Sequence, residues 1–556
     1  MKTFFLSLSL FIITVCTVKA QITVTTAAEL QAALDDTMAD STILISGTIF
    51  GRFIVNRSGT EANPIIIRGG TISGLGVPDT TAGLDFALLS VLSESNIRIE
   101  NVTFENNFVQ GAKGIYVTTA TFNDAPLQNI FIDSCTLQDI GWSSDNTADP
   151  ASNPSGTGQA HGILITGRTA NTVTNVNVTN TNLNNIITGN SEALTLNGNV
   201  DQFLVQGNTI SNCTNIGIDI AGGFGVATSG TDQARNGEVV ENTVFNCRRP
   251  SSVSGLFEPA GIYVDGGANV EIYGNRSYQN GQGFSIGREQ AGETLNITMT
   301  NNLSYFNAEN GLVFGGNNGT VINSIVRNNT FYENGADRPD TGGDRSGISV
   351  QITQNCSITN NIIFEPNSDS SSNMFGISNF FGGDIPVVEY NLVNGMASGF
   401  DLANVGTNPN GLSVAPDLDT SADFTPNASS PVINAGDNTG IPVDEKDFLG
   451  SDRIFDTTVD MGAVEFGATL NIQDIIEEES LTVEVYPNPA KRVLHIDNLQ
   501  SIAYHIRIFD MTGALRLNTK FNNQNLTLNI EHLTPGMYFV NITDESQSKV
   551  YSLLKE

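Results

Sequence analysis

The sequence predicts an all-β protein: a right-handed parallel β-helix with an N-terminal capping helix, followed by a small C-terminal antiparallel β-sandwich. Three observations carry this. First, a two-part motif recurs from about residue 97 to 394. Its first half reads IRIENVTFEN, IYGNRSYQN, MTNNLSYFN and VRNNTFYEN. Its second half reads GIYV, GILI, ALTL, GIDI, GIYV, GFSI, GLVF, GISV and GISN, beginning at residues 114, 162, 193, 217, 261, 283, 311, 347 and 376. The spacing runs from 22 to 48 residues, a short coil lengthened by inserted loops. Such strands cannot bury an apolar face alone, so neighbouring coils must stack. Second, Asn275, Asn302, Asn329 and Asn361 fall at equivalent turns, where stacked amides can bond along the axis. Third, VEVYPNP, RVLHIDN, HIRIFDMTG, LTLNI, GMYFVNIT and KVYSLL follow one another after residue 480 in a sandwich pattern.

Taken in order, residues 1–20 carry Lys2, an apolar run and a small residue at Ala20, the pattern of a secretory signal peptide too short to span a bilayer. No other stretch is apolar enough to cross a membrane. AAELQAALDD (27–36) reads as an amphipathic helix that covers the open end of the solenoid. FIVNRSGTEANPIIIRGGTISG (53–74) is two β-branched runs split by a turn. Four insertions interrupt the coils, at 142–159, 222–238, 247–260 and 333–346, and long loops on a rigid scaffold commonly bind or catalyse. Residues 447–466 read as a closing coil and C-terminal cap. The expected domains are thus a solenoid over 21–467, an acidic linker over 468–480 and a small domain over 481–556.

A net charge of −33 argues against nucleic acid or anionic membranes as partners. A polyanionic substrate then requires a locally basic cleft or a bridging cation. Cys16 leaves with the signal. Cys213 and Cys247 occupy comparable coil positions, so a disulfide and buried free thiols both remain open; no cysteine spacing matches zinc.

The candidate site comes from register. QGAKGIYV, GQAHGILI and GNSEALTL place Lys113, His161 and Glu192 at one motif position in successive coils, which stack roughly 4.7–4.9 Å apart. Between residues 21 and 467 the only histidine is His161, and Lys113 is one of two lysines. A cationic or hydrogen-bonded His161 beside Lys113 would lower the lysine pKa toward base function, with Glu192 or Asp219 orienting the imidazole. Arg168 is expected to hold a carboxylate through its planar fork. Tyr116, Trp142, Asp219, Tyr263 and Arg235 are the further candidates for contact with substrate. No metal is assigned, and no cofactor is required, although Asp219 and Asp265 could hold calcium through oxygen ligands.

Tyr486-Pro487-Asn488-Pro489, Asp510-Met511-Thr512-Gly513 and Gly536-Met537-Tyr538-Phe539-Val540 resemble the C-terminal sorting domain of type IX secretion in Bacteroidetes. The resemblance implies export to the cell surface or medium, with the secretion machinery as partner. The repeat region, with SGTEANPIIIRG near its start, resembles secreted β-helix proteins acting on carbohydrate, such as pectate, alginate and chondroitin lyases. It is more loosely similar to enzymes that dismantle ulvan, including oligosaccharide dehydratases. That resemblance implies a carbon–oxygen lyase on an anionic glycan. Elimination across C4–C5 of a uronate needs a base for the proton α to the carboxylate, an acid for the leaving oxygen, and neutralisation of the enolate-like charge. On this reading Lys113 is the base and His161 the acid. Glycoside hydrolysis by paired carboxylates and a non-catalytic glycan-binding solenoid are the alternatives.

Overall fold

A computed structural model describes residues 20–36, 41–78, 86–119, 127–154, 157–228, 231–250, 259–335, 345–366, 374–467, 484–497, 504–510, 515–521, 526–543 and 548–556. The signal segment up to residue 19, the acidic linker, much of the insertions at 247–260 and 333–346, and the Met511-Thr512-Gly513 part of the sorting motif lie outside these residues. The chain divides into two compact units, 1–470 and 471–556.

In the first unit a coil contributes one strand to each of three parallel sheets. One coil, for example, runs through Ile97–Glu100, Thr103–Phe108 and Lys113–Thr118; the next runs through Leu127–Asp133, Thr136–Gly141 and His161–Gly167. The strands of the repeat's second half fall consecutively on one 12-stranded sheet, from Phe53–Val55 through Lys113–Thr118, His161–Gly167, Leu194–Gly198, Ile218–Ala221 and Ala260–Asp265 to Leu402–Ala403. This is the parallel β-helix. Inward residues such as Ile115, Ile163, Leu194, Ile218 and Ile262 are fully buried in one continuous core. Left-handed backbone positions, one per coil within or beside the strands of one sheet, explain part of the abundance of asparagine. Asn101, Asn129, Asn175, Asn236, Asn269 and Asn296 adopt left-handed backbone with φ of 52 to 59°, a region that asparagine tolerates better than most residues.

The amide ladder extends further than the sequence suggested. Asn208, Asn242, Asn275, Asn302, Asn329, Asn361 and Asn391 each pass a side-chain hydrogen bond to the next, at 2.9–3.4 Å, ending on Asn408. Ala27–Asp35 forms the expected helix, started by a Thr26 capping box with Glu29, and buries Leu30, Ala33 and Leu34 over the solenoid end.

One expectation changes, and one left open is answered. Residues 447–466 do not close the far end; they lie back along the solenoid flank. Arg453, fully buried, bonds Asn301 and pairs with Glu465 at 2.7 Å, while Ala463 and Gly462 bond Thr330 and Asn360. Enough polar chain is present there to satisfy exposed corner amides. Cys135, Cys213, Cys247 and Cys356 are all buried free thiols, so Cys213 and Cys247 form no disulfide.

The second unit packs a three-stranded antiparallel sheet (Glu484–Tyr486, Val493–Asp497, Leu526–Asn529) and a four-stranded one around its own core. The latter includes Leu515–Phe521, a strand the sequence reading passed over because Arg516, Asn518 and Lys520 dilute its apolar signal.

Candidate active site

Lys113 and His161 pair in register on adjacent strands, and Tyr116 pairs with Leu164 beside them. The same offset that aligns Ile163 with Leu194 carries His161 to Glu192. Lys113, His161, Tyr116 and Leu164 border a pocket of about 410 Å³ on the outer face of the sheet. Lys113, Tyr116, His161, Leu164, Thr166 and Arg168 form its floor. Gly111 and Gln159 lie at the strand starts, and Gly225, Val226 and Thr228 form the wall at the strand ends. Among the described residues no carboxylate lines it.

Lys113 donates from Nζ to the Gly111 carbonyl at 3.0 Å and lies 5.0 Å from the Tyr116 ring centroid. His161 Nδ1 lies 3.0 Å from the Glu192 carbonyl and 3.3 Å from Thr195 Oγ1. A carbonyl only accepts, so Nδ1 carries the proton and Nε2 the lone pair. Burial, and then the Lys113 charge, push the imidazole pKa down to about 3. Of the two states the sequence left open for His161, cationic or hydrogen-bonded, the geometry and the lowered pKa favour the hydrogen-bonded, neutral ring. Glu192 Oε2 approaches Nδ1 to 3.7 Å, a distance that would suit an ion pair. Burial instead raises the Glu192 pKa to about 7, and its carboxyl accepts from Thr195 at 3.1 Å. Two buried groups that both resist charging make a neutral contact, with Glu192 orienting the ring through its main chain.

Further along the axis, Thr195, Asp219 and Tyr263 occupy one rung line. Burial, with the neighbouring carboxylates Glu192 and Asp265, raises the Asp219 pKa well above its usual value. Burial and the Glu289 charge take Asp265 to about 7. Asp219 and Tyr263, expected as substrate contacts, are not among the residues that line this pocket. Asp219 does not orient His161 either. Among the described residues no group of three or more His, Cys, Asp and Glu is arranged to hold a metal ion.

Three more expectations are revised. Arg168 follows His161 by seven residues at the other end of its strand, roughly 20 Å away at about 3.3 Å per residue. Its backbone therefore stands at the far end of the pocket from His161. Arg235 belongs to another sheet, where it pairs with Asp201 at 3.1 Å and bonds Asn199. Trp142 packs against the solenoid core over Gly158 and Gly189, both of which approach its ring too closely to carry a side chain. Sequence reasoning passed over Glu289, Gln159 and the wall residues Gly225, Val226 and Thr228. The 222–238 insertion flagged the wall as a segment, but no residue type in it marks chemistry.

Residues 484–556 match the family described as Secretion system C-terminal sorting domain. The Uncharacterized protein YwoF of Bacillus subtilis (strain 168) is 31% identical over 276 residues, covering 48% of this chain and 54% of that protein, so the chain spans about half the length of this curated relative. Among solved structures, alginate lyase from Paenibacillus sp. str. FPU-7 matches at 19% identity over 60% of this chain and 94% of its own, with a TM-score of 0.37. The periplasmic alginate epimerase AlgG matches at 12% over 71% and 83%, with a TM-score of 0.38. Pectate lyase Pel9A matches at 15% over 78% and 90%, with a TM-score of 0.32. Among the described residues no helix is long and apolar enough to cross a membrane. The C-terminal unit is a type IX sorting tail, which directs the protein to the cell surface or beyond it.

Proposed function

We propose that the protein is an exported carbon–oxygen lyase that eliminates across C4–C5 of a uronic acid in an anionic glycan such as ulvan or its oligosaccharides. One observation carries the reading. In a chain of net charge −33, the pocket is lined by Lys113, His161 and Arg168 and, among the described residues, by no carboxylate. That lining suits a carboxylate-bearing sugar and leaves hydrolysis by two flanking carboxylates without its reagents.

The proposed roles follow from protonation. His161 Nε2, holding the lone pair, removes the C5 proton. The Lys113 ammonium on the adjacent coil neutralises the carboxylate as charge spreads into it. The electron pair forms the C4=C5 bond as the C4–O bond breaks. The imidazolium, stabilised at Nδ1 by the Glu192 carbonyl and Thr195, returns its proton to the departing oxygen. This reverses the opening half of the sequence assignment: His161 is base before it is acid, and Lys113 is the electrostatic partner. The pocket lies at the small end of ligand sites, about 300–1,000 Å³, which favours a short oligosaccharide. The proposed step uses no metal.

Incubation with uronate polysaccharides and oligosaccharides tests this by following ultraviolet absorbance of the new double bond alongside reducing ends. A double bond without new reducing ends identifies a dehydratase, and both together a chain-cleaving lyase. Reducing ends alone identify a hydrolase and overturn the proposal.

A further inference from the structure

Arg168 lines the same pocket as Lys113 and His161 but from the opposite end of the strand. One carboxylate cannot bridge roughly 20 Å, so the two ends must meet different groups. The structure also fixes the main chain at Arg168 from both neighbouring sides. Its N–H donates to Thr119 Oγ1 at 2.7 Å, on the preceding coil. Its carbonyl accepts from Thr228 N at 3.1 Å and from Thr228 Oγ1 at 3.0 Å. Thr228 belongs to a loop clasped by Asp232, whose carboxylate accepts from Gly225 N at 2.6 Å and Ala227 N at 2.9 Å. Val226 of that loop seats against Gly198, where an added Cβ would lie 3.1 Å from it. The loop thus fixes the backbone that carries the exposed Arg168 at the pocket's far end while walling the pocket with Gly225, Val226 and Thr228.

Resting on the lyase reading, we propose that Arg168 forms a second anionic subsite, which binds a sulfate ester or carboxylate on a sugar removed from the reacting uronate, so that the oligosaccharide lies along the strands and across the solenoid axis. A guanidinium fork matches either oxyanion bidentately. The substrate class is therefore an oligosaccharide with two separated anionic groups, one for Lys113 and one for Arg168.

The test uses the full chain, wild type and Arg168→Gln, with matched uronate oligosaccharides carrying a sulfate on a neighbouring sugar, their desulfated forms, and homopolyuronate oligosaccharides. Wild type should prefer doubly anionic substrates in KM by about tenfold or more, the size of one charge-assisted contact. In Arg168→Gln that preference should collapse toward unity, with kcat altered less than KM. Loss confined to the sulfated arm identifies sulfate, and loss confined to the polyuronate arm identifies carboxylate. An equal KM change on every substrate, or none, overturns the subsite. His161→Ala separates the two ideas: if it abolishes turnover while Arg168→Gln leaves the preference intact, the subsite fails and the lyase reading stands. If wild type turns over none of these compounds, the lyase reading fails. Calorimetric binding of the same panel to wild type and Arg168→Gln then decides the subsite by the same ratio.

Discussion

Replacing Lys113 by Met removes a cation one rung from His161 while keeping an apolar stem, and it probes the electrostatics on which the mechanism depends. Rungs lie about 4.8 Å apart. At an effective dielectric of about 20, two unit charges at that separation interact by about 3 kcal/mol, or roughly two pKa units. Burial is the larger cause of the depressed imidazole pKa, and the substitution leaves it in place. His161 should therefore rise from about 3 to roughly 5 in Lys113→Met, still short of an ordinary histidine. Nitrogen-15 NMR of histidine-labelled protein reads both the pKa and the tautomer. His161 is distinguished from His495, His505 and His532 of the sorting unit by a His161→Gln control. The wild-type spectrum should show the proton on Nδ1 throughout the neutral range. Turnover should fall by about a hundredfold or more, the scale for losing one stabilising charge at a developing oxyanion. Titration of wild-type His161 near 6.5, a proton on Nε2, or an unmoved pKa in Lys113→Met would refute the reasoning.

The buried carboxyl gives a stability prediction of defined sign. Glu192 goes from its ordinary 4.5 up to about 7 in the fold, so native protein holds a proton that the unfolded chain releases between those values. Stability therefore falls as pH rises from 4.5 to 7, by about 3 kcal/mol from this group. Glu192→Gln should flatten that part of the urea-midpoint profile, and an unchanged slope would count against a protonated Glu192. His161 acts in the other direction, contributing above 6.5 and losing that contribution as pH falls toward about 3. In the amide ladder, Asn302→Leu strands the Asn275 N–H and the Ile272 and Thr300 carbonyls. It should cost about 2–5 kcal/mol, seen as a lower urea midpoint with an unchanged slope. Gly158→Ala would set a Cβ 2.4 Å from the Trp142 ring. As this is the chain's one tryptophan, its emission should shift directly, with about 1–3 kcal/mol of destabilisation.

Much of the scaffold was legible because it repeats. Short strands of fixed polarity are written nine times over, and an asparagine returns at the same turn in several of those coils, so each copy corroborates the others. Lys113 and His161 were legible for the same reason: register follows from the repeat, and cations are scarce in it. What one copy cannot announce was missed. The neutrality of His161 depends on burial created by other coils. The remoteness of Arg168 follows from strand rise, which runs perpendicular to the stacking that brought Lys113 and His161 together. Arg235 was grouped with the substrate contacts although, across an insertion from the strand before it, it lies on another sheet. The flank-hugging course of residues 447–466 arises from unrepeated contacts such as Arg453 with Asn301 and Glu465.

The buried amide column has an evolutionary consequence. Its members are separated by 34, 33, 27, 27, 32, 30 and 17 residues from Asn208 to Asn408, yet each finds the next. Extra chain between them is expelled sideways instead of disturbing the alignment. New bulges can therefore be grafted onto, or trimmed from, any turn that the column spans while the stack keeps its register. A lineage built this way can change which sugars it grips faster than it changes what it does to them.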